Sequence, residues 1–352
     1  MKFISLFLLF AGIANALLAG WDASVDNFPR RSGESDDASR IQRAIDSQPG
    51  GVVWVPSGIY EMAKSLVITN LCSVEMSQGA VLRAVREMPF VVTIDASAAW
   101  KGRKMADQTH YTASVVGGTI DGNGLASCML LDGFRHFTLR DTVFLNGRQY
   151  GLHVGSHSYE LMANNLYFKC VKSGLAGNTA VYTTGGDSHY TDCVVVDYTV
   201  GFLLRYGGGG DNRLTRCHVW GGPLPPRKPG EPPEMLKDSV CYWIHGASGA
   251  LLRDCYADTG KTGFLIDGKE AQLDGCRYFN NSIFKLDGIK IIDHRYGRLH
   301  VSGCKFCKNS PNVKVYDGIG TVIWNNIMYD GFDEKDDQPG AIGRQMTQKK
   351  EK

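Results

Sequence analysis

Three short segments end in a residue that can hold a charge or move a proton: Phe202-Leu-Leu-Arg205, Tyr242-Trp-Ile-His245 and Phe264-Leu-Ile-Asp267. Each alternates in period two, as a half-buried β-strand does, so Phe202, Leu204, Ile244, Phe264 and Ile266 turn inward while Arg205, His245 and Asp267 turn outward. A guanidinium that neutralises a carboxylate, an imidazole that titrates near neutrality and a carboxylate that orients it are the parts needed to remove a proton from carbon next to a carboxylate. That removal is the first step of a β-elimination. Outward strand positions are polar in any protein, so the trio carries meaning only if the three strands lie side by side.

Repeats supply that arrangement. Leu214-Thr-Arg-Cys217-His-Val219, Leu252-Arg-Asp-Cys255-Tyr-Ala257, Leu273-Asp-Gly-Cys276-Arg-Tyr278, Val301-Ser-Gly-Cys304-Lys-Phe306 and Tyr190-Thr-Asp-Cys193-Val-Val195 share apolar-x-x-Cys-x-apolar. Looser copies stand at Leu139, Leu161 and Val322, with a small polar residue in place of the cysteine. The cysteines recur at 21 to 28 residues, except for 38 between Cys217 and Cys255. Between them lie second strands closed by glycine, such as Tyr242-Trp-Ile-His-Gly246 and Phe264-Leu-Ile-Asp-Gly268. Strand, turn, strand, turn at this period predicts an all-β solenoid, a right-handed parallel β-helix of about nine coils. Stacked at about 4.8 Å, its coils put Arg205, His245 and Asp267 in one outward column. The long interval is explained by Pro223 to Asp238, 16 residues with six of the chain's twelve prolines, which form a loop rather than ladder.

Composition narrows the partners. Glycine supplies 42 of 352 residues, well above the roughly 7% of an average protein, which fits many tight turns and excludes a helical bundle. With 38 basic and 36 acidic side chains no global field attracts nucleic acid, and an anionic ligand needs a local cation cluster. Lys2, an apolar run of about eleven residues and Ala14-Asn-Ala16 read as a signal peptide over residues 1–16, too short to span a bilayer. The expectation is a secreted or periplasmic protein that leaves the membrane after cleavage. Residues 17–332 then form one β-helix domain, and 333–352 a charged, aromatic-free, disordered tail. Asp36-Asp37 open a short amphipathic helix, Ala38-Ser-Arg-Ile41-Gln-Arg-Ala44-Ile45-Asp46, suited to cover the open first coil.

That helix, with Gly50-Gly51-Val-Val-Trp-Val-Pro56-Ser-Gly58-Ile-Tyr60 after it, resembles the N-terminal signature of the pectate-lyase-like β-helix superfamily. The resemblance, extended by the repeats to about residue 330, implies an extended carbohydrate as ligand; it leaves the reaction open, because lyases, hydrolases, epimerases, esterases and phage tailspikes share the fold. The Asn-Thr-Asp, Gly-His-Gly and Arg-Ile-Lys blocks of polygalacturonase-like hydrolases are missing, and Ile291-Ile292-Asp293-His294 only partly echoes a block of the calcium pectate lyases.

Joined to the column, the resemblance points to an enzyme that cleaves an acidic, uronate-containing polysaccharide. Arg205 would clamp the sugar carboxylate, His245 would be the base and Asp267 would orient the imidazole. His153 on an earlier strand, Trp220, Trp243, Lys261, Lys269 and Arg227 of the proline-rich loop are the expected substrate contacts. No cofactor is required, with calcium left open. One alternative is a hydrolase with paired carboxylates, for which Asp267 with Asp293, or Asp197 and Asp258 in turns, are candidates, while Asp132 is about five coils too far. Another is a non-catalytic glycan-binding or adhesion solenoid. Cys193, Cys217, Cys255, Cys276 and Cys304 share one inward position and are read as a ladder of free thiols, with disulfides between rungs as the alternative.

Overall fold

The computed structural model describes residues 20–96, 112–171, 175, 177–205, 211–221, 238–246, 249–281, 287–333, 336–339 and 346–348. The signal segment and nearly all of the proline-rich loop, Arg227 included, lie outside them.

The described residues wind as a parallel β-solenoid of about ten coils and include one α-helix. Each coil has three strands rather than the two expected. A central coil runs through Val200–Arg205, Arg213–Thr215 and His218–Trp220, and each strand pairs in parallel with its counterpart one coil on: Val240–His245, Ala250–Arg253 and Tyr256–Asp258. The three stacks form faces 1, 2 and 3 in that order. Their inward residues fill the solenoid with a continuous apolar core, including the ring column Phe202, Tyr242 and Phe264 at centroid spacings of 5.7 and 5.4 Å.

The third strand escaped the sequence because the corner between faces 2 and 3 is so short. One residue makes it, in the left-handed region: Asp192, Arg216, Asp254, Gly275, Gly303 and Asn326 have φ between 51° and 65°. Glycine, asparagine and aspartate tolerate that conformation and other side chains do so at a cost. The next position, cysteine in five coils, turns inward, so apolar-x-x-Cys-x-apolar straddles a bend instead of lying along one strand. All ten cysteines are free thiols, nine of them buried. Rung by rung, Cys217, Cys255, Cys276 and Cys304 donate Sγ–H to the carbonyls of Tyr190, Leu214, Leu252 and Leu273 on the preceding coil, at 3.3 to 3.7 Å.

Both ends are covered. The helix Ala38–Asp46 buries Ala38, Ile41, Ala44 and Ile45 completely against the first coils. Asp36 accepts from the Ala38 N–H at 2.8 Å, while Asp37 is held by Arg30 at 2.6 Å, Arg40 at 2.7 Å and the Glu61 N–H at 2.9 Å. At the other end, Met346–Gln348 pairs antiparallel with Thr321–Asn325, and Lys308 binds Asp336 at 2.8 Å.

Candidate active site

Face 1 presents three outward positions per strand, at its start, middle and end. The end positions Arg205, His245 and Asp267 are consecutive Cα partners on three neighbouring coils. His245 Nδ1 lies 3.0 Å from Asp267 Oδ2, with the two side chains 40% and 28% exposed. With Nδ1–H donated to the carboxylate, Nε2 is the ring nitrogen left to accept a proton. Trp243, two residues earlier, meets the imidazole edge-on at 5.7 Å and leaves its indole N–H buried without a hydrogen-bond partner among the described residues. Arg205 donates Nη1–H to Tyr182 Oη at 3.3 Å and has no carboxylate partner among the described residues, so its charge is available to a ligand. The arrangement can hold a carboxylate and accept a proton beside it.

The other expected contacts scatter. His153 is on face 1 in the middle column, three coils before Trp243, among Phe90, Tyr150 and Tyr182. Burial lowers its pKa against the opposing pull of Asp132, so the imidazole is held neutral. Trp220 belongs to face 3, where it pairs with Asp258, and cannot reach the column on face 1. Lys261 precedes the start of the face 1 strand and donates to the Asp287 carbonyl, a full strand length from Asp267. Lys269 stands exposed just past Asp267, on a strand that runs unbroken from Thr262 to Asp274 around the corner into face 2. The proline-rich loop lies outside the described residues except for Asp238; the flanking Gly221 and Asp238 stand at the corner between faces 3 and 1.

Asp293 does not face Asp267. It pairs with Leu265 in the middle column, while Asp267 pairs with Tyr296 across a register shift. Lys290 at 3.2 Å and Arg295 at 3.3 Å hold the Asp293 carboxylate, and its neighbour His294 points into the core. Asp132 binds His157 at 3.0 Å far up the face. On face 3, Asp258 is 3.5 Å from His218 Nε2. Asp197 sits in the corner after that face, its pKa pushed up to about 6 by burial against the pull of Lys169, with Oδ1 lacking a partner among the described residues. No group of three or more His, Cys, Asp or Glu placed to hold a metal ion occurs among the described residues.

Alternation along single strands did not reveal Tyr182, which anchors Arg205, or the rings around His153. The signal was present: Tyr182 follows inward Val181 just as Trp243 follows Tyr242, and register then puts Tyr182, Leu203 and Trp243 in line.

The family model of the right-handed β-helix region matches residues 127–328. The chain belongs to the right-handed β-helix family. No curated protein sequence matches it. Among solved structures it is similar to a Geobacillus virus E2 protein (14% identity, TM-score 0.65, 88% of this chain and 62% of that one). It is also similar to an alginate lyase from Paenibacillus (13%, 0.53, 80% and 96%) and a surface adhesin of Streptococcus pneumoniae (13%, 0.51, 87% and 89%). The chain spans less than two thirds of the viral protein it matches. At such identities the likeness is one of fold, and this fold carries enzymes and adhesins alike. No helix among the described residues is long and apolar enough to cross a membrane.

Proposed function

We propose that this right-handed β-helix protein is a secreted or periplasmic enzyme that cleaves a uronate-containing polysaccharide by β-elimination. The observation that carries the reading is the His245–Asp267 pair at 3.0 Å with Arg205, unmatched by any carboxylate among the described residues, in register one coil before it. Arg205 binds the uronate carboxylate and draws off the charge that develops as the adjacent C5–H ionises. His245 Nε2 takes that proton; the electron pair forms the C4=C5 double bond, the C4–O bond breaks, and the leaving oxygen takes a proton from water. Asp267 keeps the ring in the basic tautomer. That an alginate lyase shares the fold is consistent with this chemistry.

The test is a panel of acidic and neutral polysaccharides with the mature protein, with and without chelator, following the ultraviolet absorbance of unsaturated uronate beside reducing ends. Absorbance rising with reducing ends supports elimination. Reducing ends without absorbance favour hydrolysis, for which one observation speaks: Asp197 has the raised pKa of a general acid, and Asp258 lies two coils on, roughly 10 Å along the stack and near the upper limit of carboxyl spacing for inversion. Binding without either product makes the protein a glycan-binding solenoid.

A further inference from the structure

North of the column, toward the helix cap, face 1 changes character. Its middle column continues back through Leu203, Tyr182, His153 and Leu130, and the start positions add Tyr150 and Phe90. Tyr150 and Tyr182 stack at 5.1 Å with their planes 13° apart, His153 lies 5.0 and 4.8 Å from them, and Phe90 lies 6.1 Å from His153. These rings occupy outward positions and are only half-buried. The strip ends in a cleft of about 410 Å³ lined by Glu87, Met88, Pro89, Ser127, Arg148 and Gln149. Gln149 donates to the Tyr150 hydroxyl at 3.0 Å, and Arg148 is already paired with Glu87 at 3.3 Å. Among the described residues the strip between Arg205 and the cleft therefore offers ring faces, hydroxyls and an amide; Arg148 is matched by Glu87, and Asp132 at the strand ends by His157.

Surfaces of that kind bind the apolar faces of uncharged pyranoses, with polar groups at the edges to meet hydroxyls. From the coil of His245 back to that of Phe90 is five steps, roughly 24 Å at the β spacing. A sugar unit of an extended chain advances by about one such step. We infer that face 1 takes a mixed polysaccharide: one uronate at Arg205 and His245, followed toward the helix cap by a run of about three to four neutral sugars on the Tyr182, His153, Tyr150 and Phe90 strip. This rests on the reading of Arg205 as the uronate clamp and adds the substrate's composition to it.

Calorimetric titration tests it in a His245→Ala background, which prevents turnover, with three soluble oligosaccharides. These are an octasaccharide of deacylated gellan, which has one uronate in four units, a uniform galacturonate octasaccharide and cellohexaose. The gellan fragment is expected to bind at least about tenfold tighter than the uniform uronate, a gain of the size that stacked rings supply. Tyr150→Ala should abolish the gain and Tyr150→Phe should keep it, while Arg205→Ala should weaken both uronate ligands alike. Uniform uronate binding as tightly as the gellan fragment, or losing as much on Tyr150→Ala, overturns the inference and leaves the catalytic reading standing. Ring-dependent gellan binding, with no unsaturated product from any polymer using the wild-type protein, supports the strip and overturns elimination.

Discussion

The two halves of face 1 share backbone and register yet differ in chemistry. Toward the helix cap the start and middle columns carry Phe90, Leu130, Tyr150, His153, Tyr182, Leu203 and Trp243, with Asp95 and Asp132 at the strand ends; beyond Asp267 the face carries Lys290, Asp293, Lys314 and Asp317. In the second half every one of these charges is spoken for: Lys290 binds Asp293 and Asp317 at 3.2 and 2.8 Å, and Lys314 binds Asp317 at 2.6 Å. Cations so matched hold coils together and have little left for an anionic ligand. Arg205 sits at the border, held by a phenol and unmatched by a carboxylate among the described residues. A row of lysines and aspartates is thus less informative about binding than one arginine that no carboxylate among the described residues neutralises.

Substitutions can break that contrast. His245→Ala should lower turnover by about 10² to 10⁴ with little change in thermal stability, the range for loss of a general base. Steady-state kinetics and a melting curve on one preparation check it, and a stability loss without a rate loss would give the residue a structural role. In the other half, Lys290→Met should spare turnover and destabilise the chain by about 1–3 kcal/mol. It removes a half-exposed partner from nearly buried Asp293, and denaturant unfolding reads the loss.

Acid sharpens the comparison. His294 is fully buried, bonded to the Tyr316 hydroxyl at 3.1 Å and the Tyr296 carbonyl at 2.8 Å, and burial lowers its pKa against the opposing pulls of that carbonyl and Asp293. A depressed imidazole favours the neutral form in the folded state, so its stabilisation is complete above the unfolded value of about 6.5 and declines as pH falls below it. Asp317, held down to about 2 by Lys290 and Lys314, contributes above about 4 and loses that contribution between there and about 2. Because burial depresses His153 in the same way, both halves loosen below about 6.5, and the loss that sets the last coils apart is that of Asp317: hydrogen exchange should open them first as pH falls from about 4 toward 2, while His294→Gln should remove their earlier loss. Uniform opening would show that the halves are not separate in stability.

The smallest effect concerns a corner. Arg216 occupies the left-handed position that glycine or asparagine fills in other coils, at φ 52°, compensated by a paired contact to Asp192 at 2.7 and 2.8 Å. Arg216→Gly should raise stability by about 0.5–1 kcal/mol in chemical denaturation, since the exposed ion pair it forfeits is worth less than the relieved strain.

The same corner marks how far the sequence could be read. Parallel coils were legible because cysteine and its apolar flanks repeat, and the Arg205, His245, Asp267 column because alternation within a strand is reliable once the strands stack in register. The third face was hidden, since one residue suffices to turn the chain, and aspartate, asparagine or even a strained arginine stands where glycine would have marked the turn. Trp220 lies on that face, away from the column. The setting of Asp293 stayed open for another reason: its strand continues around a corner with a register shift, which blurs the alternation. Tyr150 and Tyr182 read as ordinary strand residues until neighbours 23 to 32 positions away brought them together.

The cysteine rungs set a deadline. Thiols packed in the core and bonded to carbonyls are inert, but in the unfolded chain all ten are open to oxidation. If the chain matures in an oxidising compartment, each coil laid down sequesters another thiol, and winding the solenoid competes with the formation of the first disulfide. A pair formed early would tie together strands that belong on different coils, so the ladder would reward a chain that winds quickly from one end, and it would make slow-folding variants fail by covalent error before they failed by instability.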